Sequence, residues 1–348
     1  MKRWGGALVV VIGLAVLPAV ASARTQLVYA GGKPAFAAQL IKKFGESLAF
    51  FPGTVTINAG DSISWVGLAP GFHTVDVPSK GGPLPLLTPT ANTASGVLDA
   101  ASTPFWFNNK VPILSFNPQL AAPSHARTFT GSSRIDSGLP FGPAKAFTVK
   151  FTKAGRYSYF CDVHPGMAGK VVVRAKGKAV PSAAQVAAAV AQEQAAASAA
   201  AKKLLKTKLS GDVVSLGLKG AHDVEILQMF QGVTRVPVGT TITFKMPTGS
   251  FETHTATFGP VAYLSLLAKA FTSPTIDPRS SYPSSPPGTG PIPLNASSHG
   301  NGFANTGTLQ AVKGSPLPAL NKITFTQKGT YNFECLIHPF MHGVIVVQ

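Results

Sequence analysis

Apolar side chains recur at every second position in short runs along most of this chain. In "FPGTVTINAGDSISW", residues 51–65, Val55 and Ile57 and then Ile63 and Trp65 alternate with polar residues around Ala59, Gly60 and Asp61. That is the pattern of two half-buried strands joined by a turn. In "YSYFC", residues 157–161, the same period places Tyr157, Tyr159 and Cys161 on one face, and Val171 to Val173 then form an unbroken apolar run. Such a run predicts a buried closing strand. The exception is 174–208, where an alanine-rich stretch follows Pro181 and Ser182. High helix propensity after an N-capping serine predicts a helix that acts as a semi-rigid spacer.

The strand pattern occurs twice. "FQGVTRVPVGTTITF" (230–244) overlays residues 51–65, and each copy is followed by a lone His-Thr pair, His73 with Thr74 and His254 with Thr255. "YSYFCDVHPGMAGKVVV" (157–173) overlays "YNFECLIHPFMHGVIVV" (331–347) without a gap. A repeat this long indicates duplication of a whole domain. The pattern therefore predicts an all-β protein: two tandem Greek-key β-sandwiches, 24–173 and 209–348, joined by an Ala- and Lys-rich helical linker, 174–208. Residues 78–144 and 258–320 lack periodicity and are rich in Pro, Gly, Ser and Thr. Segments of that length inside a domain are either functional or disordered.

The first 23 residues change the picture of where the protein works. Lys2 and Arg3 precede an apolar run from Ala7 to Val20 that ends at Ala21, Ser22 and Ala23. This is the form of a cleaved signal peptide, too short for a bilayer span of about 20 residues. The expectation is an extracytoplasmic protein, in the periplasm, cell envelope or medium, with no stable membrane insertion after cleavage. The formal charge is +17, or +15 without Lys2 and Arg3. Such an excess favours an acidic partner, while export and the scatter of Lys and Arg argue against nucleic acid. Seven Lys or Arg against one Glu make the linker a basic strip, read as an aid to solubility.

Two cysteines in an exported chain would ordinarily form a disulfide. Their surroundings point elsewhere. Cys161, His164 and Met167 lie on one short loop, as do Cys335, His338 and Met341, while His73 and His254 end earlier strands. A thiolate, two imidazoles and a weak thioether are the donors of electron-transfer copper sites. The thiolate and thioether favour Cu(I) and the imidazoles accept both oxidation levels, so one electron is exchanged with little rearrangement. The loop resembles that of the cupredoxins, the type 1 blue copper family. Its Cys-x-x-His-Pro-x-Met spacing is most similar to the amicyanin version, and the strand before His73 is similar to that of plastocyanin and azurin. The resemblance covers 50–77 with 146–173 and 230–257 with 322–347, and leaves the long middle segments unexplained. It implies one type 1 copper per domain, two in total, held by His73, Cys161, His164 and Met167 and by His254, Cys335, His338 and Met341.

Three classes of function follow. The first is a single-electron carrier serving a redox partner protein. The second is a two-domain copper oxidase or nitrite-reductase-like enzyme, but such enzymes carry His-x-His pairs and histidines beside the type 1 cysteine. Here Phe160 and Asp162 flank one cysteine, Glu334 and Leu336 the other, and no His-x-His occurs. The third is copper storage or delivery, which a tight thiolate site serves poorly. His125, His222 and His299 are expected at the surface, His342 at the rim of the second site, and Trp65 and Phe244 in the cores. Some of the 22 phenylalanines would ring the solvent-side ligand, His164 or His338, as a docking patch.

Overall fold

The computed structural model describes residues 23–69, 71–141 and 145–348. The expected signal peptide therefore lies outside the described residues, apart from Ala23. No helix among the described residues is long and apolar enough to cross a membrane.

The period-two runs form two pairs of sheets. In the first half one sheet runs in the order Phe50–Phe51, Thr25–Ala30, Ser62–Val66, Phe147–Phe151, Thr128–Phe129. The facing sheet runs Ile135–Asp136, Asp76–Val77, Gly155–Phe160, Ala168–Arg174, Thr54–Asn58. Trp65, Phe151 and Tyr159 fill the space between them and are fully buried, the outcome of alternating side chains on two inward faces. In the second half Phe244, Phe258, Phe325 and Phe333 do the same. There one sheet contains Val224–Phe230, Val213–Lys219, Thr241–Lys245 and Leu320–Phe325, and the other contains Val233–Val236, His342–Val347 and Gly329–Glu334. The expected all-β class is borne out.

The two halves are not beads on a spacer. Gly45–Ser47, within the first half, is the edge strand of the second half's larger sheet, with Glu46 opposite Glu225. An unpaired edge invites other chains, and this strand closes it from inside the molecule. Helix Ala183–Leu204 is capped at Ser182, whose side chain accepts from Gln185 N–H while Gln185 reaches back. It buries Val190, Gln194, Ala197 and Ala201, one stripe at helical spacing. The stripe packs on Phe36, Leu40, Phe51 and Val224, so the predicted spacer is a helix pinned to both halves.

The long aperiodic segments also meet. Strand Thr275–Ile276 of one pairs with Pro112–Phe116 of the other. Phe105 and Phe107 from the first share a core with Leu264, Leu267 and Phe303 from the second. His299, expected at the surface, lies instead between them. It stacks on Phe105 with ring centroids 4.7 Å apart and sits 3.1 Å from Asp99 Oδ2. An aromatic face and a carboxylate offered together retain the ring there, whereas His125 and His222 are exposed.

Candidate metal centres

Each cysteine ends an inner strand of its sandwich. Phe160 pairs with Ala168, and Glu334 pairs with His342, so residues 161–167 and 335–341 must turn back at once. Matching backbone bonds close both turns: Cys161 N–H donates to Met167 O at 3.0 Å and Met167 N–H to His164 O at 2.9 Å. Cys335 with Met341 and Met341 with His338 repeat them at 2.9 and 2.8 Å. Cys161, Met167, Cys335 and Met341 are wholly buried, and both cysteines are free thiols.

The upstream histidines reach the same points. His73 Nδ1 lies 3.2 Å from His164 Nδ1, which lies 3.5 Å from Cys161 Sγ. His254 Nδ1 lies 3.1 Å from His338 Nδ1, and Cys335 Sγ is 3.6 and 3.9 Å from the two. With bonds of about 2.0 Å to nitrogen and about 2.3 Å to sulfur, as for zinc, a flat three-donor site separates nitrogens by roughly 3.5 Å and sulfur from nitrogen by roughly 3.7 Å. Both clusters are close to that spacing. Two imidazole nitrogens aimed at each other beside a buried sulfur fit a shared soft or borderline cation.

Packing fixes the rings. A Cβ on Gly71 would lie 2.5 Å from His73 Nε2, and one on Gly31, at φ +68°, 2.9 Å from it. Only glycine lets the backbone close around that imidazole. Thr74 N–H donates to Cys161 Sγ at 3.3 Å, and Thr255 N–H to Cys335 Sγ at 3.4 Å. The threonine hydroxyls then accept from the residue after each cysteine, Asp162 N–H at 2.7 Å and Leu336 N–H at 2.9 Å. These threonines belong to the sites, and their repetition after each histidine was the signal for them.

Of the two solvent-side histidines only His338 reaches the surface, and that in part. His164 is buried, and its Nε2 lies 3.2 Å from Glu252 Oε1 of the other half. His338 Nε2 lies 3.6 Å from Glu252 Oε2, with about a fifth of its side chain exposed. The expected phenylalanine docking patch around His164 is thus replaced by an internal interface. Phe251 fills the space over Gly166, where a Cβ would come within 2.3 Å of the ring. Next to His338 an exposed edge remains, where Phe340 stacks with Phe44 at 6.4 Å, and His342 lies beside it at the expected rim.

Charge within this interface is unevenly held. Burial alone would raise the Glu252 carboxyl, but His164, then His338 and His254, hold it well below the usual carboxylate range. Burial, then Glu252, pushes Glu46 well above that range, and the same two causes raise Glu225 to about 7. Burial would raise Cys161 too, yet His164 brings it down to about 5, whereas burial lifts Cys335 to about 11. Burial lowers His73, and takes His254 down to about 3. Beside the first site, Asp76, Asp136 and Asp162 form a buried carboxylate cluster in which Arg134 pairs with Asp76.

Glu225 gives a pH test of this burial. Its folded value of about 7 against an ordinary 4.5 means that the folded state keeps a proton the unfolded chain has lost between those values. Stability is then greatest below about pH 4.5 and falls as pH rises through 7, by at most roughly 3 kcal/mol from this group. Denaturant titration of copper-free protein at pH 4.5 and 7.5 is expected to show a smaller difference in Glu225→Gln than in the parent.

Comparison with known proteins agrees with this chemistry. Residues 37–174 match the family of copper binding proteins, plastocyanin/azurin family. The chloroplastic plastocyanin of Tetradesmus obliquus is 30% identical over 130 residues, which are 37% of this chain and 60% of that protein. Residues 37–174, less than half of the chain, are thus similar to the cupredoxins. The chain spans only 60% of the length of that curated relative. Among solved cupredoxin structures, a mutant fern plastocyanin is 16% identical, covering 39% of this chain and 99% of that one at a TM-score of 0.22. An oxidised amicyanin mutant is also 16% identical, covering 43% and 82% at a TM-score of 0.21.

Proposed function

We propose that this chain is a cupredoxin, an exported carrier of single electrons with two type 1 copper sites. His73, Cys161, His164 and Met167 would hold one ion, and His254, Cys335, His338 and Met341 the other. The observation that carries the reading is the duplicated buried set of two facing imidazole nitrogens and a thiol. Copper bound there would supply a one-electron couple. The chain's part is to keep the donors fixed: the glycines around His73 hold its ring, and the threonine N–H groups offer the sulfur a hydrogen bond that lowers its electron density. Rigid donors and excluded water keep the rearrangement on electron exchange small. The positive charge of the chain favours an acidic redox partner, and the exposed Phe44 and Phe340 edge beside His338 gives it an apolar contact. The amino-terminal segment supports release outside the cytoplasm.

The test is optical and magnetic. Protein loaded with two equivalents of Cu(II) is expected to show intense thiolate-to-copper absorption that bleaches on reduction, with narrow copper hyperfine splitting in paramagnetic resonance. A colourless complex would instead favour storage. Steady consumption of oxygen or nitrite would favour an enzyme.

A further inference from the structure

The two sites share one carboxylate. Glu252 precedes the ligand His254 by two residues, and the equivalent position before His73 is Gly71, so only one copy supplies the group. Its side chain is almost fully buried and lies between the outer nitrogens of His164 and His338, one from each half, at 3.2 and 3.6 Å. Both rings direct Nδ1 inward, at 3.2 Å from His73 and 3.1 Å from His254. Each therefore has only Nε2 to offer the interface, and a ring bound to metal through Nδ1 carries its proton there. Glu252 Oε1 has no aligned hydrogen-bond donor among the described residues. The two imidazoles lie against it, and the buried Glu46 carboxyl, which Glu252 helps to keep protonated, is another titratable neighbour. The Ser250 hydroxyl and the Phe251 N–H donate to Glu225, at 2.6 and 2.8 Å, which fixes the turn that presents Glu252.

We propose that Glu252 is a positioning residue common to both metal sites, which links them thermodynamically so that the state of one alters the affinity and potential of the other. This rests on the copper reading above. A carboxylate on the far nitrogen of a ligating histidine makes the ring a stronger donor. Here one negative charge serves two rings. When one site gains positive charge it draws on the shared carboxylate, and the other site gains less from it. Linkage makes the effect reciprocal.

The experiment is a redox and copper titration of each site separately. Cys335→Ser silences the second site optically, so the remaining signal reports the first. In that background Glu252→Gln, which keeps the size and removes the charge, is expected to raise the first site's reduction potential. Cu(II) affinity there is expected to fall about tenfold, the scale of losses when an outer partner of a ligating histidine is removed. With Cys161→Ser the same substitution is expected to act on the second site. A second measurement leaves Glu252 untouched: the first site in Cys335→Ser alone is expected at a lower potential than in the parent with both sites loaded. The expected change is about fivefold or more in its oxidised-to-reduced ratio, the low end of ordinary coupling. A response of the second site alone, or identical potentials in that second measurement, overturns the shared role and leaves the copper reading standing. Failure of both sites to take up copper overturns both.

Discussion

Copper-loaded Cys161→Ser protein is expected to keep about half of the parent's visible absorption, and the double variant with Cys335→Ser to keep none. The absorption arises from a thiolate bonded to copper, and each cluster contains one sulfur of this kind. Cys161 Sγ lies 3.5 Å from the His164 nitrogen, and Cys335 Sγ lies 3.6 Å from that of His254. Each cysteine sits in the core of its own sandwich, so neither thiol can replace the other. Serine keeps an oxygen that can accept from the Thr74 or Thr255 N–H, and the turn should survive. A serine hydroxyl near neutral pH is not ionised and provides no comparable electronic transition. Metal analysis should show one tightly held ion per chain in either single variant. Complete loss of colour from one substitution would mean that the two halves build a single centre, and the duplicated reading would be wrong.

Which parts of this arrangement can be read from sequence depends on the distance over which their causes act. Strands such as Ser62–Val66 and Ala168–Arg174 declare themselves because two buried inner faces impose a period of two on neighbouring residues. Cys161, His164 and Met167 are legible for a similar reason, since one tight turn holds all three, and the second copy removes coincidence. The helix over Ala183–Leu204 follows from alanine and its cap, but its buried stripe does not, because alanines on all sides hide the packed one. Thr275–Ile276 is two residues long and pairs with residues 114 and 115. So short a strand has no period, and its partner lies in the other half. Gly45–Ser47 escapes detection in the same way. Glu252 is the sharpest case: its chemistry exists only once the halves have docked. In an acid-poor chain with 13 Asp and Glu, a carboxylate two residues before the repeated His-Thr pair was the only hint.

Phe107→Ala tests whether the docked halves stand or fall together. Phe107 comes from the first long insertion and is fully buried. Its ring stacks on Phe105 at 5.0 Å and meets Tyr282 of the other insertion at 6.1 Å. Around it Trp106 Nε1 donates to Pro283 O at 2.7 Å, and Tyr282 Oη to Pro112 O at 2.8 Å. These polar bonds lie at the margin of the apolar cluster, and a cavity beneath them would admit water and weaken them. Removing a buried phenylalanine ring costs about 3–5 kcal/mol, a large part of the 5–15 kcal/mol typical of a folded protein. The substitution is in the first half, yet Leu264, Leu267 and Leu336 of the second lose packing with it. Because Leu336 follows Cys335, the loop from Cys335 to Met341 is expected to feel a change made far away in sequence. Denaturant melts should show a lower midpoint. Limited proteolysis should open helix Val261–Ala268, which is held by that cluster. If the midpoint moves by less than about 1 kcal/mol in equivalent stability, well below the cost of emptying a packed site, the insertions pack only loosely. The two halves would then fold independently, joined by the helix and one short edge strand.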